Sequence, residues 1–226
     1  MRVLIVSATP PEIAPIVAQL RPTSERSPRV NAYRRAGHDV DVLITGVGMV
    51  ATAAWCSRTL ALRPYDLALN LGVCGSFDRT LEPGRVVHVA ADRIAELGAE
   101  DDDAFLTIQE LGLLGENEFP FKGGRLVNAS PPANAGLGTL PVVRGITVNT
   151  VHGSEGTIAD VVRRFAPQVE SMEGAAFMYA CLIQGLAFAQ VRAVSNAVET
   201  RDRDAWRMSD AIGSLGVAAL TILDCL

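Results

Sequence analysis

Val40-Asp41-Val42-Leu43-Ile44-Thr45-Gly46-Val47-Gly48-Met49-Val50-Ala51 passes from a run of aliphatic residues, through two closely spaced glycines, into an alanine-rich stretch with helical spacing. A strand at Val40–Thr45 followed by a helix at Val50–Leu62 is one unit of an α/β pattern. The unit recurs outward in both directions. Strands are predicted at Val3–Ser7, Leu67–Leu71, Val86–Ala90, Val142–Val148, Val169–Met172 and Ala187–Val194, with a hairpin partner around Asn31–Arg35. Helices are predicted at Pro11–Leu20, Thr157–Phe165, Glu173–Gln184 and Ala205–Leu223. Near-continuous Val, Ile and Leu runs belong to strands covered on both faces. The expected fold is α/β, with a mixed, mostly parallel central sheet flanked by helices. Gly112–Gly138 carries several Gly and Pro residues and weak periodicity, and reads as a long surface excursion, not a linker.

A chain of 226 residues suits one sizeable domain and is short for two, so residues 1–226 are expected to form a single domain. The hydrophobic share of 49% and charged share of 20% fit a packed globular protein. A net charge of -5 argues against a nucleic-acid surface, which needs clustered Lys and Arg, so a small-molecule partner is expected. No apolar run reaches the roughly 20 residues of a membrane-spanning helix, and Met1–Ser7 reads as a strand, so a cytoplasmic location without membrane contact is expected. Cys56, Cys74, Cys181 and Cys225 lack paired or metal-type spacing, and His38, His88 and His152 lie far apart. Reduced, buried thiols, no metal and no cofactor are expected.

Several segments carry side chains suited to chemistry at strand ends, and each has an ordinary reading beside the functional one. Glu12 follows the first strand in Ser7-Ala8-Thr9-Pro10-Pro11-Glu12; it could orient a water, or merely complement a helix dipole. Thr45–Ala51 fits G-x-G-x-x-A, but the next strand ends Ala68-Leu69-Asn70-Leu71-Gly72 without the carboxylate that a dinucleotide's ribose requires. The glycines then read as a tight turn. Leu69–Phe77 reads as a strand breaking into a small-residue turn, where a ligand can approach the backbone at Gly72 and Val73; Cys74 within it reads as buried filler. In Glu170-Ser171-Met172-Glu173-Gly174-Ala175-Ala176 a strand gives way to a helix, and Glu173 could accept hydrogen bonds from a diol or serve as a first-turn acid. Ser195 and Asn196 end the last strand, where a turn is the plain reading. Arg201-Asp202-Arg203-Asp204 reads as a solvated helix start, and Glu100-Asp101-Asp102-Asp103 as a solvated turn.

Taken together, Thr45-Gly46-Val47-Gly48, Asn70-Leu71-Gly72-Val73-Cys74-Gly75, Ser171-Met172-Glu173-Gly174-Ala175 and Arg192-Ala193-Val194-Ser195-Asn196 resemble the recurrent blocks of the purine nucleoside phosphorylase and nucleosidase superfamily, in the same order along almost the whole chain. Within it, Ala95–Asp101 and Asn196–Trp206 are most similar to the futalosine hydrolases of a menaquinone route. The resemblance implies a purine nucleoside as the small-molecule partner and a homo-oligomer, a dimer or larger. It implies that Glu12 holds the attacking water, Glu173 binds ribosyl hydroxyls and Met172 packs beneath the sugar. Asn196 would face the purine at N7 and the six-position, with Gly72–Val73 and the backbone near Val151–His152 framing the base.

Similar bacterial phosphorylases carry Arg and Ser where this chain has Asn70 and Val73, which favours water over phosphate as nucleophile. Similar methylthioadenosine nucleosidases have Asp at the position of Asn196. An amide can accept from N7–H and donate to a 6-oxo group, which favours hypoxanthine as the leaving base. Arg201, or Arg203, is expected to meet the carboxylate on the 5′ side of futalosine. Two alternatives stay open: a methylthioadenosine/adenosylhomocysteine nucleosidase releasing adenine, and a non-catalytic nucleoside- or dinucleotide-binding module.

Overall fold

The computed structural model describes residues 1–102, 104–200 and 204–226, apart from the Arg26 side chain. In chain order the elements are β1 (Arg2–Ser7), α1 (Pro10–Val17), β2 (Arg21–Ser27), β3 (Val30–Arg35), β4 (His38–Ile44), α2 (Met49–Leu62), β5 (Leu67–Ser76), β6 (Val86–Asp92), β7 (Gly98–Asp101) and β8 (Ala104–Thr107). They continue with β9 (Phe121–Lys122), β10 (Arg125–Val127), α3 (Ala135–Gly138), β11 (Val142–Thr147), α4 (Glu155–Phe165), β12 (Val169–Ser171), α5 (Gly174–Gln184), β13 (Phe188–Ala197) and α6 (Met208–Asp224).

The sheet is mixed. β1 runs parallel to β4 and β5, β13 parallel to β5, and β11 parallel to both β12 and β6. β12 is antiparallel to β5, and β13 antiparallel to β6. These pairings close a ring, β5-β12-β11-β6-β13 and back to β5, from which β1, β4, β3 and β2 extend as an open wing.

Alternation along β1 shows why its sequence is apolar throughout. Val3 and Ile5 join Ile13, Ile16, Leu215 and Ile222 on the face covered by α1 and α6, whereas Leu4 and Val6 join Cys56, Phe177 and Cys181 beneath α2 and α5. Each face is sealed from water by a helical layer, the condition under which a strand carries no polar face. Among the described residues no helix is long and apolar enough to cross a membrane.

Three expectations require correction. β5 does not break into a turn after Leu71 but runs on to Ser76, because its glycines leave room for neighbouring side chains and do not reverse the chain. β13 likewise continues past Ser195 to Ala197, through a bulge between Val194 and Asn196. Gly112–Gly138 is not wholly a surface excursion. β10 pairs with β6, Phe121 and Leu126 are buried, and the backbone of Gly136 in α3 meets that of Ile222 in α6. Strands of two and three residues are too short to show a period.

Candidate active site

A cavity of about 510 Å³ opens where β1, β5, β12 and β13 end and α1 and α5 begin. Glu12, Val73, Val151, Met172, Glu173 and Asn196 all line it. Gly72 lies just beneath; Arg201 and Arg203 fall outside the described residues.

Glu12 is buried on the first turn of α1 and serves two ends of the site. Its Oε2 accepts the Thr9 N–H at 3.0 Å and the Thr9 hydroxyl at 2.7 Å, capping its own helix. Its Oε1 accepts the Val73 N–H at 3.2 Å and keeps a lone pair for the cavity. The same carboxylate thus caps the helix start and lines the cavity.

Glu173 immediately precedes α5. Its Oε1 accepts the Gly48 N–H at 3.1 Å, and its Oε2 lies 3.5 Å from Nη1 of Arg192. Gly48 makes this contact from a φ of +96°, a conformation that side chains disfavour. The glycine turn after β4 thus ends on Glu173, 125 residues away in sequence.

Arg192 was not singled out from sequence. It is 1% exposed, within β13, and its guanidinium runs beneath Gly72. A methyl group at Gly72 would collide with Nη1 of Arg192 and sit 2.9 Å from Oε1 of Glu12, so glycine lets the cation lie between the two carboxylates. Nη2 of Arg192 donates to Oδ1 of Asn70, and Nε donates to Oε1 of Gln190 at 3.2 Å. Gln190 in turn donates to Oδ2 of Asp92 at 3.0 Å, and the Thr147 hydroxyl donates to Oδ1 at 3.0 Å. Burial pushes the Asp92 carboxyl up to about 6 against the opposing pull of these donors and of Arg192. The available signal was a charged residue set between Val191 and Ala193 in a strand, because a fully buried arginine requires partners.

Asn70 has both ends of its amide committed, to Arg192 and to the Val6 carbonyl at 3.1 Å. The Val73 N–H is taken by Glu12. Among the described residues no Lys or Arg lines the cavity wall. Cys74 borders the cavity, but burial pushes its thiol up to about 12, so thiolate is not available near neutral pH.

At the opposite end, Asn196 emerges from the β13 bulge, a device that re-aims a side chain. Its Oδ1 accepts from the Ser195 hydroxyl at 2.8 Å and its Nδ2 donates to the Ala197 carbonyl at 2.9 Å. Glu170 was also missed, and of His152 only the backbone was expected near the base. Glu170 is 4% exposed, with Oε1 accepting the His152 N–H at 3.2 Å and Oε2 2.7 Å from His152 Nδ1. Nothing in the sequence joins these two, which are 18 residues apart on separate elements.

The phosphorylase superfamily model matches residues 2–223. The chain belongs to this superfamily. A futalosine hydrolase of Acidothermus cellulolyticus is 33% identical over 95% of this chain and 90% of its own length. A futalosine hydrolase of Thermus thermophilus is 34% identical over 80% of each. Among solved structures, a 5′-methylthioadenosine/S-adenosylhomocysteine nucleosidase of Colwellia psychrerythraea in complex with adenine superposes with a TM-score of 0.82 at 20% identity, covering 100% of this chain and 96% of that one. At that identity the likeness is one of fold alone.

Proposed function

We propose that residues 1–226 act as a single nucleosidase domain that hydrolyses the N-glycosidic bond of futalosine, releasing hypoxanthine and dehypoxanthine futalosine for menaquinone biosynthesis in the cytoplasm. The observation that carries this reading is the convergence of Glu12, Glu173 and Asn196 on one cavity whose wall holds no Lys or Arg among the described residues. The two relatives named as futalosine hydrolases support the substrate.

In the proposed reaction Glu12 orients a water through Oε1 and takes its proton as the oxygen bonds to the anomeric carbon. The bond from that carbon to purine N9 breaks, its electron pair leaves with the base, N7 takes its proton from solvent, and Glu12 returns the water's proton to solvent. Glu173 accepts hydrogen bonds from the ribosyl hydroxyls while Met172 packs beneath the sugar. Arg192, 3.5 Å from Oε2 of Glu173, supplies a positive charge behind the site. The backbone at Gly72, Val73 and Val151 frames the base, and the Asn196 amide accepts from N7–H and donates to the six-oxygen. Arg201 is assigned to the carboxylate on the 5′ side. The enzyme is proposed to work as a homo-oligomer, a dimer or larger, on a small nucleoside and without nucleic acid, metal or cofactor.

The test is to incubate the protein with futalosine, aminofutalosine, inosine and methylthioadenosine and identify the released base. Hypoxanthine from futalosine is expected. Adenine as the preferred product would instead favour the methylthioadenosine/adenosylhomocysteine nucleosidase reading, and survival of every nucleoside a binding module. Because the Val73 N–H is held by Glu12 and Asn70 carries no charge to pair with an anion, turnover should be the same with and without phosphate; strict dependence on phosphate would refute hydrolysis.

Asn196→Asp should move preference toward 6-amino nucleosides by roughly tenfold to a hundredfold, the cost of one mispaired polar contact in a dry pocket. The ratio of kcat/KM for inosine and adenosine reads this directly. An unchanged ratio removes Asn196 from base selection.

A further inference from the structure

We propose that Asp92 and Gln190 are positioning residues for the ribosyl end of the site: from behind its floor they hold Arg192 against Glu173 and fix the turn from which Glu173 projects. This deepens the proposed function and rests on its assignment of Glu173 to the ribosyl hydroxyls. Neither residue lines the cavity and both are 1% exposed, so neither touches a nucleoside held there. A buried carboxylate that meets no ligand costs folding energy that an apolar side chain of similar size would avoid.

The bonds form a closed circuit. Oε2 of Glu173 lies 3.5 Å from Nη1 of Arg192, Nε of Arg192 donates to Gln190 at 3.2 Å, and Gln190 donates to Oδ2 of Asp92 at 3.0 Å. Oδ1 of Asp92 accepts the Thr147 hydroxyl at 3.0 Å, and the Thr147 oxygen accepts the N–H of Ala175, two residues beyond Glu173, at 2.7 Å. Glu173 is thus held through its carboxylate at one end of the circuit and through its helix start at the other. Gly174 lies between. A methyl group there would collide with Oε1 of Gln190 and Oδ2 of Asp92, so glycine lets the pair lie against the first turn of α5.

Asp92 sets the direction of the circuit. An ionised carboxylate only accepts, so Gln190 turns its NH2 toward Asp92 and its oxygen toward Arg192, whose guanidinium only donates. A protonated Asp92 offers an O–H; Gln190 can then turn its oxygen to Asp92, which sets its NH2 against the Nε–H of Arg192, donor against donor. Around Asp92, β11 presents Thr147 and Gly145, β13 presents Gln190 and beyond it Arg192, α5 presents Gly174, and Arg93 gives a backbone N–H. Arg192 is the charged group acting on it, and burial outweighs that charge to place the Asp92 carboxyl at about 6. The hold on Glu173 therefore loosens as the pH falls through that value.

The experiment compares wild type with Gln190→Met, which keeps the volume and breaks the link, and Asp92→Asn, which keeps the shape and frees Gln190 to turn. Where wild-type Asp92 is ionised, each variant should raise KM for inosine about tenfold, as expected for one misdirected hydrogen bond to a charged group. It should change kcat far less, because Glu12 keeps its bonds to Thr9 and Val73. Calorimetric titration with 9-deazainosine, whose glycosidic carbon–carbon bond resists hydrolysis, should show the same loss, and 9-deazahypoxanthine, which lacks the ribose, should bind as before. In wild type the Kd for 9-deazainosine should rise from one pH unit above about 6 to one pH unit below it, and in Gln190→Met it should stay level. A level wild-type Kd overturns the proposal even if neither variant folds, and so does a rise of equal size in Gln190→Met. Equal losses for the ribosyl ligand and the free base also overturn it, leaving Asp92 and Gln190 as packing; so does a KM unchanged in both variants. If 9-deazainosine binds in the expected pattern but no nucleoside is cleaved, the hydrolytic reading fails and the positioning role stands. Absence of nucleoside binding to wild type overturns both.

Discussion

Arg192→Met should lower the stability of the protein by about 3–5 kcal/mol, the cost of leaving one member of a buried ion pair without its partner. Methionine fills a similar volume but leaves Oε2 of Glu173 without its cation and Asn70 and Gln190 without their shared donor. Urea denaturation measures the loss, and the double variant Arg192→Met, Glu173→Gln should recover part of it by removing the stranded charge. Activity should not return in the double variant, since the glutamate assigned to the ribosyl hydroxyls has gone. A single variant within about 0.5 kcal/mol of wild type, the range of ordinary surface substitutions, would show that Arg192 is not the counter-charge of the site.

Glu12→Gln should reduce kcat/KM for nucleoside hydrolysis by about 10²–10⁴-fold, the usual contribution of a positioned acid or base. Its effect on folding should be smaller, though not zero. Glu12 accepts from the Thr9 N–H through one oxygen and from the Val73 N–H through the other, whereas glutamine has a single oxygen and would turn its own N–H2 toward one of those donors. That mismatch costs on the order of 1–3 kcal/mol. Thermal unfolding beside single-turnover kinetics separates the two effects. If the rate falls only as far as the unfolded fraction accounts for, Glu12 is a helix cap and not the base.

The strands covered on both faces were legible because burial leaves an unbroken aliphatic run, as in Val3–Ser7, and the helices because their periods survive in the sequence. β2 was not legible. It pairs only with β3 at the margin of the sheet, and an edge strand such as Arg21–Ser27 tolerates charge and proline that conceal it. The turn assigned after Leu71 was wrong for a different reason. Glycine in a strand signals either a chain reversal or the close approach of another group, and sequence alone does not separate them. At Gly72 the approaching group is Arg192, brought there by the register of β5 against β13. Glu12, Glu173 and Asn196 were recognisable as polar residues at strand ends or helix starts. Glu170 was hidden in a strand of three residues, and its partner His152 comes to it only through tertiary folding.

The two oxygens of Glu12 divide their labour, one closing the first turn of α1 and the other facing Val73 and the cavity. The basic oxygen is therefore aimed by the same bonds that start the helix, with Pro10 and Pro11 stiffening the entry and Ile13 and Ile16 anchoring it in the core. Folding and arming of the carboxylate become one event: a chain with α1 unwound at its start would hold a mobile acid and no directed proton acceptor. With Glu12 as the base proposed above, an unfinished or loosened molecule would thereby be kept from consuming nucleosides before its binding surfaces are assembled.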